Sequence, residues 1–326
     1  MSDVDKPAPP GKYLVDPYED WAKAEGVPIH AGAAVDLLKA EVKPWARYGL
    51  NGACCHLDGR DDFLTVFLIE LPPNSGSAPH QHLYEEVCYV LAGSGSTEFQ
   101  APDGHTQVIE WGPKSLFALP MNAQYRHRNS SAAPARFAAV NDIRYLFNLY
   151  RSEKFVFETA LQFAERHGGT EAVADLAKQP AGPLTLAKGT ISSDVVELAP
   201  GSYGQASRQM HGAHSFGLDG EGYMLAWEEG AQDFMRISWH HGIVSATPGM
   251  SFRQHFNAGP APARYLDVQF GSQQQPMFRH RRAAYGDTSV YAAGSATIPF
   301  TEQDPRIHQI WLEAIAGKGV TPRMPG

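Results

Sequence analysis

With 326 residues the chain is long enough for two domains of ordinary size, each with a substantial core. Its 27 basic and 35 acidic residues give a net charge of −8 with no basic block, which argues against nucleic acid or an anionic membrane as partner. Gly (31) and Pro (24) are frequent and helix-period stretches are few, as in a turn-rich β protein. The three cysteines, Cys54, Cys55 and Cys88, are no disulfide framework and fit a reducing compartment. The first residues lack the basic and apolar regions of a signal peptide, so a soluble, cytoplasmic protein is expected.

Residues 1–50 read as an N-terminal arm. Within it, Asp16 can cap a short helix that starts at Pro17 and carries Trp21 as an anchor. Lys43 to Asp58 reads as a loop leading into a first barrel, residues 51–150. Strands are predicted at Phe63–Leu71, Thr97–Gln100, Gln107–Trp111, Leu116–Leu119, Tyr125–Asn129 and Arg136–Asn141, separated by Pro and Gly turns. A linker, 151–189, is predicted to hold two short helices, around Leu161–His167 and Thr170–Lys178, and to end at Pro180–Pro183. Residues 190–275 form a second barrel, and 276–326 a tail with a helix around Ile307–Ala316.

The densest ligand chemistry lies between Gly76 and Gly95. His80 and His82 are two apart and Glu86 keeps the even parity, so on extended chain all three face one way. Two imidazoles and a carboxylate on one face suit a divalent transition ion with open positions. Cys88, in the apolar run after Glu86, reads as a small core residue. Arg126, Arg128 and Arg144 lie near predicted strand ends, where one could receive a substrate carboxylate. His240 and His241 read as a surface turn.

The spacing His80-x-His82, three residues, Glu86, six residues, Gly93 resembles the first motif of the cupin superfamily. The second cupin motif is displaced. Pro120 and Asn129 keep their places, Asn122 stands at the glycine, Tyr125 at the histidine, and the histidine lies two residues on, at His127. A shift of two preserves the face of a strand, so His127 is taken as fourth ligand, with Tyr125 as the competing ligand or a neighbouring phenol.

Trp111, Pro120, His127, Asn129, Arg136 and Phe137 recur 128 residues later as Trp239, Pro248, His255, Asn257, Arg264 and Tyr265. That offset identifies a duplication. In the second copy Ser207, Gln209 and Ala213 replace His80, His82 and Glu86. His255 survives there, with His211 and His214 nearby, and the barrel reads as structural or as holding a pocket without a metal.

The resemblance therefore implies an all-β bicupin: two tandem cupin jelly-roll barrels with a short helical linker. It further implies one divalent ion, Fe(II) first and Mn, Ni, Cu or Zn next, held by His80, His82, Glu86 and His127. Glu86 and Tyr125 are the candidate catalytic groups. The activity expected from the resemblance is a dioxygenase of the gentisate-like or quercetin-cleaving kind, using O2 on a small aromatic or enolic acid. The alternatives are a redox-neutral decarboxylase, lyase or isomerase, and a non-catalytic small-molecule-binding bicupin. A homodimer or higher homo-oligomer is expected, because the Trp21 segment needs a surface to bury against.

Overall fold

The protein is described here from a computed structural model, covering residues 16–60, 63–208, 213–271 and 297–324. It is all-β, built as two tandem jelly-roll barrels. In the first barrel the large sheet runs Ile29–Gly32, Leu50–Leu57, Thr65–Leu71, Ala135–Asn141, Glu86–Ala92, Leu116–Ala118 and Ala172–Val173. The facing sheet runs Ser75–Gly76, Tyr125–Asn129, Gly95–Gln100 and Thr106–Trp111. The second barrel repeats the plan, with the large sheet Gly182–Thr185, Ile191–Leu198, Ala263–Phe270, His214–Asp219, Ile243–Ala246 and Ala34–Asp36. Its smaller sheet holds Met235–Trp239, Gly222–Trp227, Phe252–Asn257, Ala206–Ser207 and Thr297–Ile298. Among the described residues no helix is long and apolar enough to cross a membrane.

The strand Glu86–Ala92 shows why its sequence is apolar on both faces. Cys88 and Val90 point into the first barrel, among Phe67, Phe117 and Phe137. Val87, Tyr89 and Leu91 point the other way and pack on Phe216, Leu218, Val244 and Leu266 of the second barrel. The barrels are thus joined through the outer faces of their large sheets, each buried aliphatic or aromatic side chain contributing roughly 1.5–3 kcal/mol. His241 ties this seam: its Nε2 donates to the Leu91 carbonyl at 2.9 Å, and its Nδ1 accepts from the Tyr89 hydroxyl at 3.2 Å. Of the predicted surface pair, only His240 is exposed.

The N-terminal segment is more than an arm. Asp16 caps the helix Pro17–Ala24 by accepting from the Glu19 amide at 3.1 Å. Trp21 is buried against Phe67, Phe147 and Phe157 of its own chain. That removes the stated reason for a dimer. Ile29–Gly32 then joins the first barrel and Ala34–Asp36 the second, stitching the two together.

Other expectations are corrected in the same region and in the linker. Lys43 to Asp58 is not a loop but holds the paired strands Lys43–Trp45 and Leu50–Leu57. The helices that follow the first barrel lie earlier than predicted, at Ile143–Tyr150 and Glu153–Glu158. Leu161–His167 and Thr170–Lys178 contain only short 3-10 turns and the strand Ala172–Val173. Gly182 and Pro183, expected in a linker, open a strand paired with Ile191–Leu198. The tail helix, Pro305–Ile315, lays Ile307, Trp311 and Ile315 on Tyr203, Tyr223 and Phe256 of the second barrel.

The repeated residues have repeated jobs. Asn129 donates to the carbonyls of Leu71, Pro72 and Ala133, and Asn257 to those of Leu198, Ala199 and Ala261, each bracing a turn. A Cβ on Gly95 would lie 2.3 Å from the Arg128 carbonyl oxygen and 2.4 Å from the Trp111 ring. Gly222 is pinned in the same way by Trp239 and the Phe256 carbonyl. Gly95→Ala is therefore expected to cost about 2–3 kcal/mol in urea denaturation. Gly112→Ala, with open space around its Cβ position, should stay within about 0.5 kcal/mol.

Candidate metal centre in the first barrel

His80 and Tyr125 form an isolated antiparallel bridge, exchanging backbone hydrogen bonds of 3.0 and 2.9 Å. This pairing brings motif one and the displaced motif two side by side. Their rings meet edge to face with centroids 4.2 Å apart. Asn122, at the motif's glycine position, has φ +57°, and Met250, its counterpart in the second copy, has +68°. The turn needs a left-handed residue, and Asn tolerates that conformation better than most. From there Tyr125–Asn129 pairs with Gly95–Gln100, setting His127 opposite Thr97.

Two of the histidines are held alike. His80 Nδ1 donates to the Ala78 carbonyl at 2.7 Å, and His82 Nδ1 to the Tyr84 carbonyl at 2.8 Å. A carbonyl only accepts, so both rings carry their proton on Nδ1 and present the Nε2 lone pair. His80 Nε2 is buried without a partner. His82 Nε2 accepts from the Tyr125 hydroxyl at 2.8 Å. His82 also lies flat on the Tyr84 ring, 3.5 Å between centroids, and Tyr84 in turn hydrogen-bonds the Tyr48 hydroxyl at 2.7 Å. His127 is 6.0 Å from His80, ring centre to ring centre, and its Nδ1 meets the Thr97 hydroxyl at 2.8 Å.

Strand alternation separates the two adjacent glutamates. Glu85 turns outward to Arg166 at 2.9 Å and to the Thr190 amide and hydroxyl. Glu86 lies inside, with the Cys88 thiol at 3.5 Å. Burial raises the Glu86 carboxyl to about 7. Burial also lowers His80 to about 4 and His82 to about 3, and holds His127 well below its usual value. At neutral pH the site therefore offers neutral imidazoles and a carboxyl poised to exchange a proton. Glu86, Tyr125 and His127 share with Tyr48, Leu50, Phe67, Ile69 and Phe137 a cavity of about 10 Å³, room for one water-sized molecule.

Among the described residues no three His, Cys, Asp or Glu side chains already surround one point. The donor chemistry nonetheless fits a divalent ion. Two Nε2 lone pairs are fixed in the ligating tautomer, one is buried with nothing to bond, and a carboxyl and a third imidazole face the same cavity. Tyr125 is the group in competition, since the His82 lone pair it occupies would be needed by an ion.

The other expected substrate contacts are placed elsewhere. Arg128 pairs with Glu98 at 2.8 Å, Arg144 with Asp16 at 2.7 Å, and Arg126 alternates to the outside of the strand that carries Tyr125 and His127. Cys54, Cys55 and Cys88 are buried free thiols. Sequence reasoning missed Tyr48, Tyr84, Thr97 and Trp111. Tyr84 and Trp111 carried faint signals, the first two residues beyond His82, the second repeated 128 residues on as Trp239.

In the second barrel Ser207 bridges Arg253 as His80 bridges Tyr125. The Arg253 guanidinium pairs inside with Asp267 at 2.9 Å and contacts Ser215. A fixed cation thus stands where the first barrel gathers ligands. His255 faces this interior, stacked on Tyr265 at 4.0 Å. His214 alternates with Ser215 and shares the face of Phe216 and Leu218, towards the seam. Gln209 and His211 lie outside the described residues.

No protein-family model matches the sequence. No curated protein matches it either. Its fold is shared with solved structures of oxalate decarboxylase, a bicupin of the cupin superfamily. One, on that enzyme's substrate-binding mode and reaction-specificity switch, aligns with a TM-score of 0.51 and 15% identity over 74% of this chain and 77% of the other. A single-residue variant of the Bacillus subtilis enzyme aligns at 0.52 and 15% identity over 74% and 78%. At this identity the likeness is one of fold.

Proposed function

We propose that the protein is a metal-dependent bicupin enzyme whose single site lies in the first barrel and acts, without net oxidation, on a small carboxylic or enolic acid. His80, His82 and Glu86 would hold the ion, with His127 as fourth ligand. Fe(II) and Mn(II) are the first candidates for that ion. When bound, the ion supplies Lewis acidity to a chelating substrate oxygen. The chain's own residues do the rest. Apolar and aromatic side chains wall the cavity, and Tyr125 offers a phenolic proton beside His82. The observation that carries the reading is the pair of histidines, His80 and His82, held in the ligating tautomer, with the buried Glu86 carboxyl and His127 lining one cavity.

A second reading, dioxygenation, is favoured by one feature: His80, His82 and Glu86 without His127 are the two-histidine, one-carboxylate set that leaves positions open on Fe(II). Purified protein loaded separately with Mn(II) and Fe(II) should be offered a panel of small carboxylic and enolic acids, with O2 uptake and CO2 release followed together. Turnover that continues in anaerobic buffer is expected. Turnover that stops without O2 and consumes it stoichiometrically would replace the first reading by the second.

A further inference from the structure

The three histidines of the site do not have equivalent partners. His80 and His82 are tied to backbone carbonyls, which can only accept. His127 is tied through Nδ1 to a hydroxyl, which can donate or accept. That hydroxyl, Thr97 Oγ1, is itself held: the Trp111 indole donates to it at 2.9 Å, and Thr97 is fully buried. An indole N–H has no acceptor capacity, so Thr97 receives a proton from one side and keeps its own hydrogen for the other. The partner within reach is His127 Nδ1 at 2.8 Å. With Nδ1 accepting, a neutral His127 carries its proton on Nε2, the nitrogen left for the cavity.

The second barrel is a natural control. Trp239 and His255 repeat Trp111 and His127, but Met224 stands where Thr97 would be, opposite His255 in the sheet. Trp239 Nε1 and both His255 ring nitrogens are then buried without partners. One hydroxyl accounts for the difference between a satisfied chain of three groups and two orphaned ones. The barrel that lost it is also the one that lost the ligand set.

We propose that Thr97, oriented by Trp111, is a positioning residue that lets His127 change from a proton donor into a ligand. In the metal-free protein Thr97 donates to Nδ1 and His127 shows Nε2–H to the cavity. When an ion is bound, Nε2 gives up its proton and Nδ1 gains one, the ring staying neutral. The Thr97 hydroxyl then rotates and accepts from both Nδ1 and Trp111 with its two lone pairs. A carbonyl partner could not serve both forms. This rests on the reading of His127 as fourth ligand.

The test uses the full chain with 15N-labelled histidine, Zn(II) as a diamagnetic probe, and long-range proton–nitrogen spectra in which the His127 signals are identified by their loss in His127→Gln. In wild type the proton-bearing nitrogen of His127 is expected to be Nε2 without zinc and Nδ1 with it. Thr97→Val keeps the shape and removes the hydroxyl. It should move the bare Nδ1 resonance downfield without zinc and weaken zinc binding about 10–100-fold, the usual effect of a lost outer partner. Thr97→Ser should restore both. His127 already protonated on Nδ1 in the metal-free protein, or Thr97→Val binding zinc as tightly as wild type, overturns the proposal. A wild type that takes up no zinc overturns the metal reading instead, while the Nδ1 shift in Thr97→Val still reports on the Thr97 bond.

Discussion

His82→Ala is expected to remove essentially all specifically bound ion, lowering affinity by more than about 100-fold, beyond what loss of an outer partner does. His82 is the most firmly placed of the proposed ligands. Its Nδ1 proton is locked on the Tyr84 carbonyl, its ring lies on the Tyr84 ring, and its Nε2 points at Tyr125. Tyr125→Phe should do the opposite of a ligand deletion. It keeps the ring against His80 and removes the hydroxyl that occupies the His82 lone pair, so affinity should be kept or raised. His127→Ala should lose most of the bound ion. Metal titration with elemental analysis of the three variants checks this order. Ion lost with the Tyr125 hydroxyl and kept without His127 would make Tyr125 the fourth ligand.

The duplication was legible because it rests on spacing, and the proposed ligand set was read from spacing too. The parity of His80, His82 and Glu86 was read as that of one extended run, whereas the strand begins at Glu86 and a bend at Leu83 and Tyr84 separates it from the two histidines. The left-handed turn at Asn122 was legible, since few residue types accept it. Tertiary partners were not. Leu161–His167 has the composition of a helix, yet the Thr159 and Leu161 carbonyls accept from Gln81 and Asn122 over the barrel mouth, which spends backbone groups a helix would need. Lys43–Trp45 pairs with Leu50–Leu57 despite Pro44, because a proline is tolerated at a sheet edge. The roles of Thr97 and Tyr84 depend on strands and rings meeting across the barrel, and no local pattern encodes that. Nor did the sequence disclose that Trp21 finds its surface within its own chain.

His255→Phe is expected to make the protein markedly more resistant to acid than the wild type. His255 is buried, has no hydrogen-bond partner at either ring nitrogen, and is pushed down to about 3 by desolvation. In the unfolded chain the same ring titrates near 6.5. Between these values the unfolded state binds a proton that the folded state refuses, so stability is lost as pH falls below about 6.5. One such group costs about 1.4 kcal/mol per pH unit, or about 2 kcal/mol by pH 5. His56, His80, His82 and His214 are lowered in the same way and act in the same direction. Glu86, raised to about 7, opposes them, because its folded form gains stability as pH falls from 7 towards 4.5. Several histidines against one carboxyl leave a steep net loss on the acid side. Phenylalanine fits the stack on Tyr265 and has nothing to protonate. Urea denaturation of both proteins at pH 8 and pH 5 should show the stability difference growing by about 2 kcal/mol in favour of the variant at the lower pH. An equal difference at the two pH values would mean that His255 finds a partner and charges freely inside the second barrel.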